Sequence, residues 1–321
     1  MKNKKKPSAR ARSGVATKHK RPGFLGLAGE LRNRVYRYYF EPGFKCEFAG
    51  KEAQLGTKPR KNVFKMYRNG GIPRNDCNGQ KEETAAIPTV RFARVLGSYT
   101  RPAGLTTHWS TSLTALPFVC KTIYHETIPL LYATTAFSFD APARIQAFLT
   151  VPKPLYLANV TRLELHYATY GDPIATEHIP FKHKHLTAWN RACKTAAKTL
   201  VNLHHLVVCV HVSESRVRLS PYEPWITPLS FFRRRQPPEK SIVKNLATAN
   251  VRVDTKWSRP DAFSNEALGS AARELHRLFG EAVGRIVLEA TVEEAMADFE
   301  NAWENGYARW QHHLQFARTG W

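Results

Sequence analysis

Residues 160–167 of the chain are VTRLELHY, and residues 203–212 are LHHLVVCVHV. Both segments are rich in β-branched and apolar residues, and each has the length of one strand. Between them, residues 186–200 place apolar side chains such as Trp189 and Cys193 at the spacing of a helix with one apolar face. A strand, a helix and a second strand in this order predict a βα unit around a parallel sheet.

The same alternation continues on both sides of this unit. Upstream, the patterns predict a strand over residues 134–140 and a helix over residues 142–149. Downstream, they predict helices over residues 241–250 and 267–283 and a short strand over residues 285–290. The sequence therefore predicts an α/β fold, bordering on α+β, built as an irregular open βα layer whose units are similar in spacing to leucine-rich repeats.

Two further helices are predicted nearer the N-terminus, over residues 27–39 and 113–132, because apolar residues recur there three and four apart. Their apolar stripes either form one partner-binding surface or pack against each other as core. Core packing is the default for periodic apolar residues, and we expect it here. The residues of these stripes that are candidates for partner binding are Leu27, Leu31, Val35, Leu116 and Ile123.

The segments LAGELRNRVY (residues 27–36) and LTALPFVCKTIYHE (residues 113–126) resemble the two signature helices of a fungal F-box-like protein family. F-box relatives act as receptor subunits that bind the Skp-type adaptor of a cullin ubiquitin ligase and present a substrate. The resemblance implies F-box-like helices packed at one end of the βα layer. It also implies a protein partner, with a Skp-type adaptor as the candidate.

The net charge of +22 is concentrated near the N-terminus, where residues 1–21 contain nine Lys or Arg and no Asp or Glu. Such a segment cannot bury enough apolar surface to fold, so residues 1–23 are predicted to be a disordered basic arm. The arm is interpreted as a nuclear-import signal, a nucleic-acid contact or a solvated tail. The candidate import or nucleic-acid contacts are Lys4, Lys5, Lys6, Lys18, Lys20 and Arg21, with the later run Arg233, Arg234 and Arg235.

The remaining residues, 24–321, are predicted to form one domain with a mobile insertion at about residues 43–110, which are rich in Gly, Pro and Lys. The sequence has no apolar stretch of membrane-spanning length and no signal-peptide pattern, which predicts an intracellular protein. The basic arm, interpreted as an import signal, favours the nucleus over the cytoplasm. The five cysteines are scattered without C-x-x-C spacing, which favours reduced thiols over a disulfide framework or a metal site.

The motifs of known enzymes are missing or incomplete. His125 and Glu126 begin like a zinc-protease motif, but Pro129 stands where the second histidine must be. The loop histidines around residues 178–185 are interpreted as solvated rather than metal-binding. The sequence therefore predicts a non-catalytic interaction protein without a cofactor. The alternative is a nucleic-acid-associated basic nuclear protein that uses the arm and the run beginning at Arg233.

Overall fold

A seven-stranded sheet organises the part of the chain that the computed structural model describes. That part comprises residues 23–41, 43–50, 61–68, 90–95, 115–173, 175–214, 217–233, 246–259 and 262–314. The strands are β1 (Phe44–Gly50), β2 (Lys61–Arg68), β3 (Val90–Val95), β4 (Thr135–Phe139), β5 (Arg162–Ala168), β6 (His205–His211) and β7 (Thr248–Asp254).

The strands lie in the order β3-β2-β1-β4-β5-β6-β7, so β3 and β7 are the outer strands of an open sheet. Strands β1, β4, β5, β6 and β7 run parallel, whereas β2 and β3 extend the sheet as antiparallel strands beyond β1. Leu163 of β5 lies opposite Leu206 of β6, and Leu206 lies opposite Ala249 of β7. The predicted α/β class and the open βα layer are confirmed.

The described helices precede, connect and follow these strands, and those of the main core pack on one face of the sheet. They are α1 (Gly29–Phe40), α2 (Lys121–Thr134), α3 (Pro142–Thr150), α4 (Pro154–Leu157), α5 (Ile179–Thr199), α6 (Glu266–Val287) and α7 (Val292–Asn301). Within the described residues, no helix combines the length and apolar character needed to cross a membrane.

The main core lies between the sheet and these helices. Alternate residues of β5, namely Leu163, Leu165 and Tyr167, point into it because side chains alternate between the two faces of a strand. The ring of Trp189 on α5 stacks on Tyr167 with centroids 4.6 Å apart, and its Nε1 donates a hydrogen bond of 2.9 Å to the carbonyl of Trp225. The predicted βα unit thus forms the centre of the core.

A second, smaller core lies where α1 and α2 meet the start of β1. It consists of four buried side chains, Tyr36, Phe40, Phe44 and Ile123. The rings of Phe40 and Phe44 meet edge to face, with centroids 5.7 Å apart. The prediction that the two N-terminal helices pack together at one end of the layer is therefore confirmed. Of the five stripe residues, however, only Ile123 is buried in this core.

Helix α6 lies directly against the outer strand β7 at two glycines. A Cβ atom at Gly280 would lie 2.3 Å from the carbonyl oxygen of Val251, and one at Gly284 would lie 2.5 Å from that of Ala249. The Thr248 amide and the Asp254 carbonyl form hydrogen bonds with residues of the β6 side. Because backbone groups of successive residues alternate between the two sides of a strand, the carbonyls of Ala249 and Val251 point to the open side of β7. The two glycines let the helix backbone cover the unpaired edge of the sheet.

Three predicted elements before residue 291 are wrong. Residues 248–250, expected to end a helix over residues 241–250, instead begin β7, because Ala249, Val251 and Val253 alternate with polar residues. Residues 241–245 of that expected helix lie outside the described part of the chain. Residues 285–287, expected in a strand, complete α6, which ends at Val287. Glu289, two residues later, has a positive φ of 87°. The single helix expected over residues 113–132 is interrupted at Cys120, whose extended backbone separates a 3-10 turn from α2.

The predicted mobile insertion contributes β1, β2 and β3 to the sheet, and its other residues, except 43, lie outside the described part of the chain. The sequence Thr291-Val292-Glu293-Glu294 predicts a capping box. This prediction is confirmed, since the Thr291 hydroxyl accepts from the Glu294 amide and the Glu294 carboxylate accepts from the Thr291 amide. Apolar and aromatic residues at helical spacing predict one helix from Val292 to about Phe316. The structure instead ends this helix at Asn301, and a π turn and a 3-10 turn follow.

Candidate functional site

The contact between α1 and α2 is organised around the carboxylate of Glu126. Arg32 donates from Nη2 to Oε1 at 2.6 Å and from Nε to Oε2 at 3.1 Å, and the Tyr36 hydroxyl donates to Oε2 at 2.7 Å. These hydrogen bonds lower the pKa of Glu126 below its ordinary value. Burial, together with the bond to Glu126, raises the pKa of Tyr36 to about 12. The bidentate guanidinium and the hydroxyl fix the rotation of α1 on α2.

That rotation gives α1 two different faces. Tyr36 and Phe40 point into the small core, whereas Leu31, Val35 and Tyr38 are exposed. At about 100° per residue, these two sets lie on nearly opposite sides of the helix. Leu27 precedes the helix in an extended conformation and is also exposed. We call Leu27, Leu31, Val35 and Tyr38 the exposed α1 face.

The five candidate partner-binding residues are thereby divided. Leu31 is 52% exposed and Val35 is 45% exposed, whereas Ile123 is only 4% exposed in the small core. Leu116 is half-buried against that core. The expectation that the stripe of Leu27, Leu31 and Val35 packs against α2 is wrong, because α1 turns its larger aromatic side chains inward. Ile123 is correspondingly a core residue and not part of a surface.

Three residues that decide this geometry were not singled out in the sequence. Arg32, Tyr36 and Phe40 follow one another at intervals of four, which is the spacing of one helix face. Glu126 is the single acidic residue of α2, which suits a partner such as Arg32. The signal was present, but a single sequence does not show which two helix faces meet.

The basic candidates fall mostly outside the described residues. Arg233 is half-buried, and its Nε donates a hydrogen bond of 3.1 Å to the carbonyl of Ile286. At least one of its donors is therefore used within the fold. The candidates that lie outside the described residues are Lys4, Lys5, Lys6, Lys18, Lys20, Arg21, Arg234 and Arg235.

A second group of polar side chains lies on the sheet face opposite the helices. Glu164 of β5 contacts the Nζ of Lys45 through both oxygens, at 2.9 and 2.8 Å, and its Oε1 lies 2.8 Å from Nε2 of His166. Cys209 of β6 lies directly opposite His166 in the parallel register. We call Lys45, Glu164, His166 and Cys209 the sheet-face cluster.

The pKa values in this cluster follow from opposing effects. Burial alone would raise the pKa of Glu164, but the hydrogen bonds from His166 and Lys45 outweigh it and lower the pKa to about 2. For Cys209, burial is the largest effect and raises the pKa of the thiol to about 11. Near neutral pH, Glu164 is therefore ionised and Cys209 carries its proton.

We expect Glu164→Gln to lower the free energy of unfolding at neutral pH by about 2 kcal/mol. The folded pKa of Glu164 lies below its unfolded value, so this stabilisation is complete above the unfolded pKa of about 4.3 and is lost as the pH falls toward 2. Urea denaturation of Glu164→Gln and of the unmodified chain, from neutral pH to about pH 2, measures the difference in their free energies of unfolding. This difference should become smaller as the pH falls.

The control for this experiment is Glu304→Gln, because Glu304 is exposed. It should change the free energy of unfolding by less than about 0.5 kcal/mol at every pH. If the free energy of unfolding of Glu164→Gln differs from that of the unmodified chain by the same amount down to acidic pH, the difference does not come from an ionised carboxylate at this position.

Comparison with known proteins gives one positive result for the chain. The family model of DUF7730, described as a domain of unknown function, matches residues 18–220. This range includes α1, α2, the exposed α1 face and the sheet-face cluster. No curated protein and no solved structure matches the chain.

Proposed function

We propose that this chain, which belongs to the DUF7730 family, is a non-catalytic protein–protein interaction module. Its partner-binding surface is the exposed α1 face. The observation that carries the proposal is that Leu31, Val35 and Tyr38 follow one another along one side of α1, while separate residues of the same helix hold it on α2. Single exposed apolar residues are ordinary, but an apolar stripe along a helix is typical of an interaction site.

The form of this surface favours a partner that presents an apolar groove. A helix that binds in a groove uses anchors about three and four residues apart, as Leu31, Val35 and Tyr38 are. The exposed side chains of Arg34 and Arg37 lie on the same helix, and the guanidinium of Arg34 lies 6.0 Å from the centre of the Tyr38 ring. These charges favour a groove with acidic residues at its rim.

The resemblance of the α1 and α2 segments to F-box-like signatures supports a Skp-type adaptor as this partner. In that role the chain is a substrate-receptor subunit of a cullin-type ubiquitin ligase. The division of α1 into an anchored and an exposed face is compatible with this role, because the helix can bind a partner without leaving its small core.

Leu31→Asp is expected to weaken binding of a purified fungal Skp-type adaptor by at least about tenfold, since it places a charge at the centre of the apolar face. Binding of the full-length chain is measured by isothermal titration calorimetry. Val35→Asp should have a similar effect, and circular dichroism should show both variants folded.

Tyr222→Asp is the matched control, because Tyr222 is at least as exposed as the residues of α1 but lies outside the helix pair. It should bind the adaptor as tightly as the unmodified chain. If the unmodified chain does not bind the adaptor, the ligase-receptor role fails. If it binds and Leu31→Asp binds equally well, the exposed α1 face is not the surface used.

A further inference from the structure

Three side chains of the sheet-face cluster bring together different metal-ligating atoms. Glu164 and His166 are two residues apart on β5 and therefore lie on the same face, and Cys209 lies opposite His166 on β6. One carboxylate oxygen, one imidazole nitrogen and the Cys209 sulfur all lie within 4.8 Å of one another. All three residues are partly buried, so their positions are set by the two paired strands.

The chemistry of these atoms restricts the ion that they can bind. Imidazole nitrogen and thiolate sulfur favour zinc and similar transition metals over magnesium or calcium, which prefer oxygen. Three protein ligands of this kind leave a fourth tetrahedral position for water or another molecule. The three ligand atoms already lie within 4.8 Å of one another, and binding of an ion requires the 2.8 Å contact between Oε1 and Nε2 to open around it.

Lys45 is compatible with such a site as an outer partner of the carboxylate. Its Nζ lies 2.8 Å from Oε2 and 2.9 Å from Oε1 of Glu164, and Oε1 also faces Nε2 of His166. When Oε1 binds an ion, the ammonium group can give up its contact with Oε1 and keep the one with Oε2. Metal-ligating carboxylates are commonly held by a second hydrogen bond of this type, which orients them.

We propose that Glu164, His166 and Cys209 form a binding site for one zinc-type transition-metal ion on the sheet face opposite the helices. Binding of the ion replaces the thiol proton of Cys209, which passes to solvent, and involves no change of oxidation state. The site is independent of the exposed α1 face, since the two surfaces share no residue. It adds a ligand-binding capacity to a chain whose sequence suggested none.

Cobalt(II) is the probe for this site, because thiolate ligation gives it a charge-transfer absorption in the near ultraviolet. The full-length chain is stripped of metal with a chelator, kept reduced with a phosphine and titrated with cobalt chloride. We expect the band to saturate at one equivalent and to disappear when zinc is added in competition. We expect no band with Cys209→Ser, and at least about tenfold weaker binding with His166→Ala.

Cys120→Ser is the matched control, because Cys120 is also a partly buried free cysteine but lies at the start of α2. It should keep the full cobalt band. A second readout is thermal stability, which zinc should raise for the unmodified chain and for Cys120→Ser but not for Cys209→Ser. Absence of the band from the unmodified chain, or its persistence in folded Cys209→Ser, would overturn the proposal.

Discussion

Gly280→Ala is expected to lower the free energy of unfolding by about 3 kcal/mol, because its new methyl group has no space. The methyl carbon would lie 2.3 Å from the carbonyl oxygen of Val251, and the obstructing atom belongs to the backbone of β7. A backbone atom cannot rotate away as a side chain can, so α6 must move off the strand. Thermal unfolding should shift downward by roughly 5 to 10 °C.

Gly269→Ala is the matched control within the same helix. The nearest atom to a new methyl group there is Nη1 of Arg273 at 3.5 Å, which is an ordinary contact with a flexible side chain. Alanine is favoured over glycine in a helix by up to about 1 kcal/mol, so this variant should be as stable as the unmodified chain or more so. If Gly280→Ala is as stable as the unmodified chain, α6 does not lie closely against β7.

Ile123→Asp is expected to disrupt the small core by more than about 4 kcal/mol, because it buries a carboxylate among aromatic rings without a partner. The effect should be concentrated in α1 and α2, since Ile123 belongs to a different cluster from Leu163 and Trp189. Limited trypsin digestion followed by mass spectrometry measures cleavage after Arg34 and Arg37. We expect this cleavage to become much faster.

Leu31→Asp provides the comparison, because Leu31 belongs to the same predicted stripe but is exposed. It should change stability by less than about 1 kcal/mol and leave trypsin cleavage of α1 unchanged. The two variants thus separate a residue that holds the helix from one that is available to a partner. Equal cleavage of Ile123→Asp and the unmodified chain would contradict the small core.

Much of the fold could be predicted because its strongest patterns are local. Residues 160–167 and 203–212 alternate or concentrate β-branched side chains, and Thr291 with Glu294 forms a cap defined within four residues. The errors arose from short segments. Residues 285–290 are apolar enough for a strand or for the last turns of a helix, and only the preceding turns of α6 decide between them.

The candidate site could be predicted only in part. The sequence singles out Leu27, Leu31 and Val35 but predicts them in the core. Their exposure depends on the contacts of Arg32 and Tyr36 with Glu126, which lies about 90 residues later in the chain. The sheet-face cluster was missed for a related reason. Glu164 and His166 are close in sequence, but Cys209 joins them only through the register of two paired strands, which local patterns do not specify.

The place of β1 in the sheet has a consequence for the order in which the chain folds. Strands β4 to β7 are neighbours in both sequence and space, so each can join the preceding strand after a single connection. Strand β1 pairs with β4 only after residues 51–134 have been spanned. Closing so long a segment carries a larger entropy cost and slows folding. During synthesis, the N-terminal strand and helix must therefore wait for β4 before they can reach their final positions.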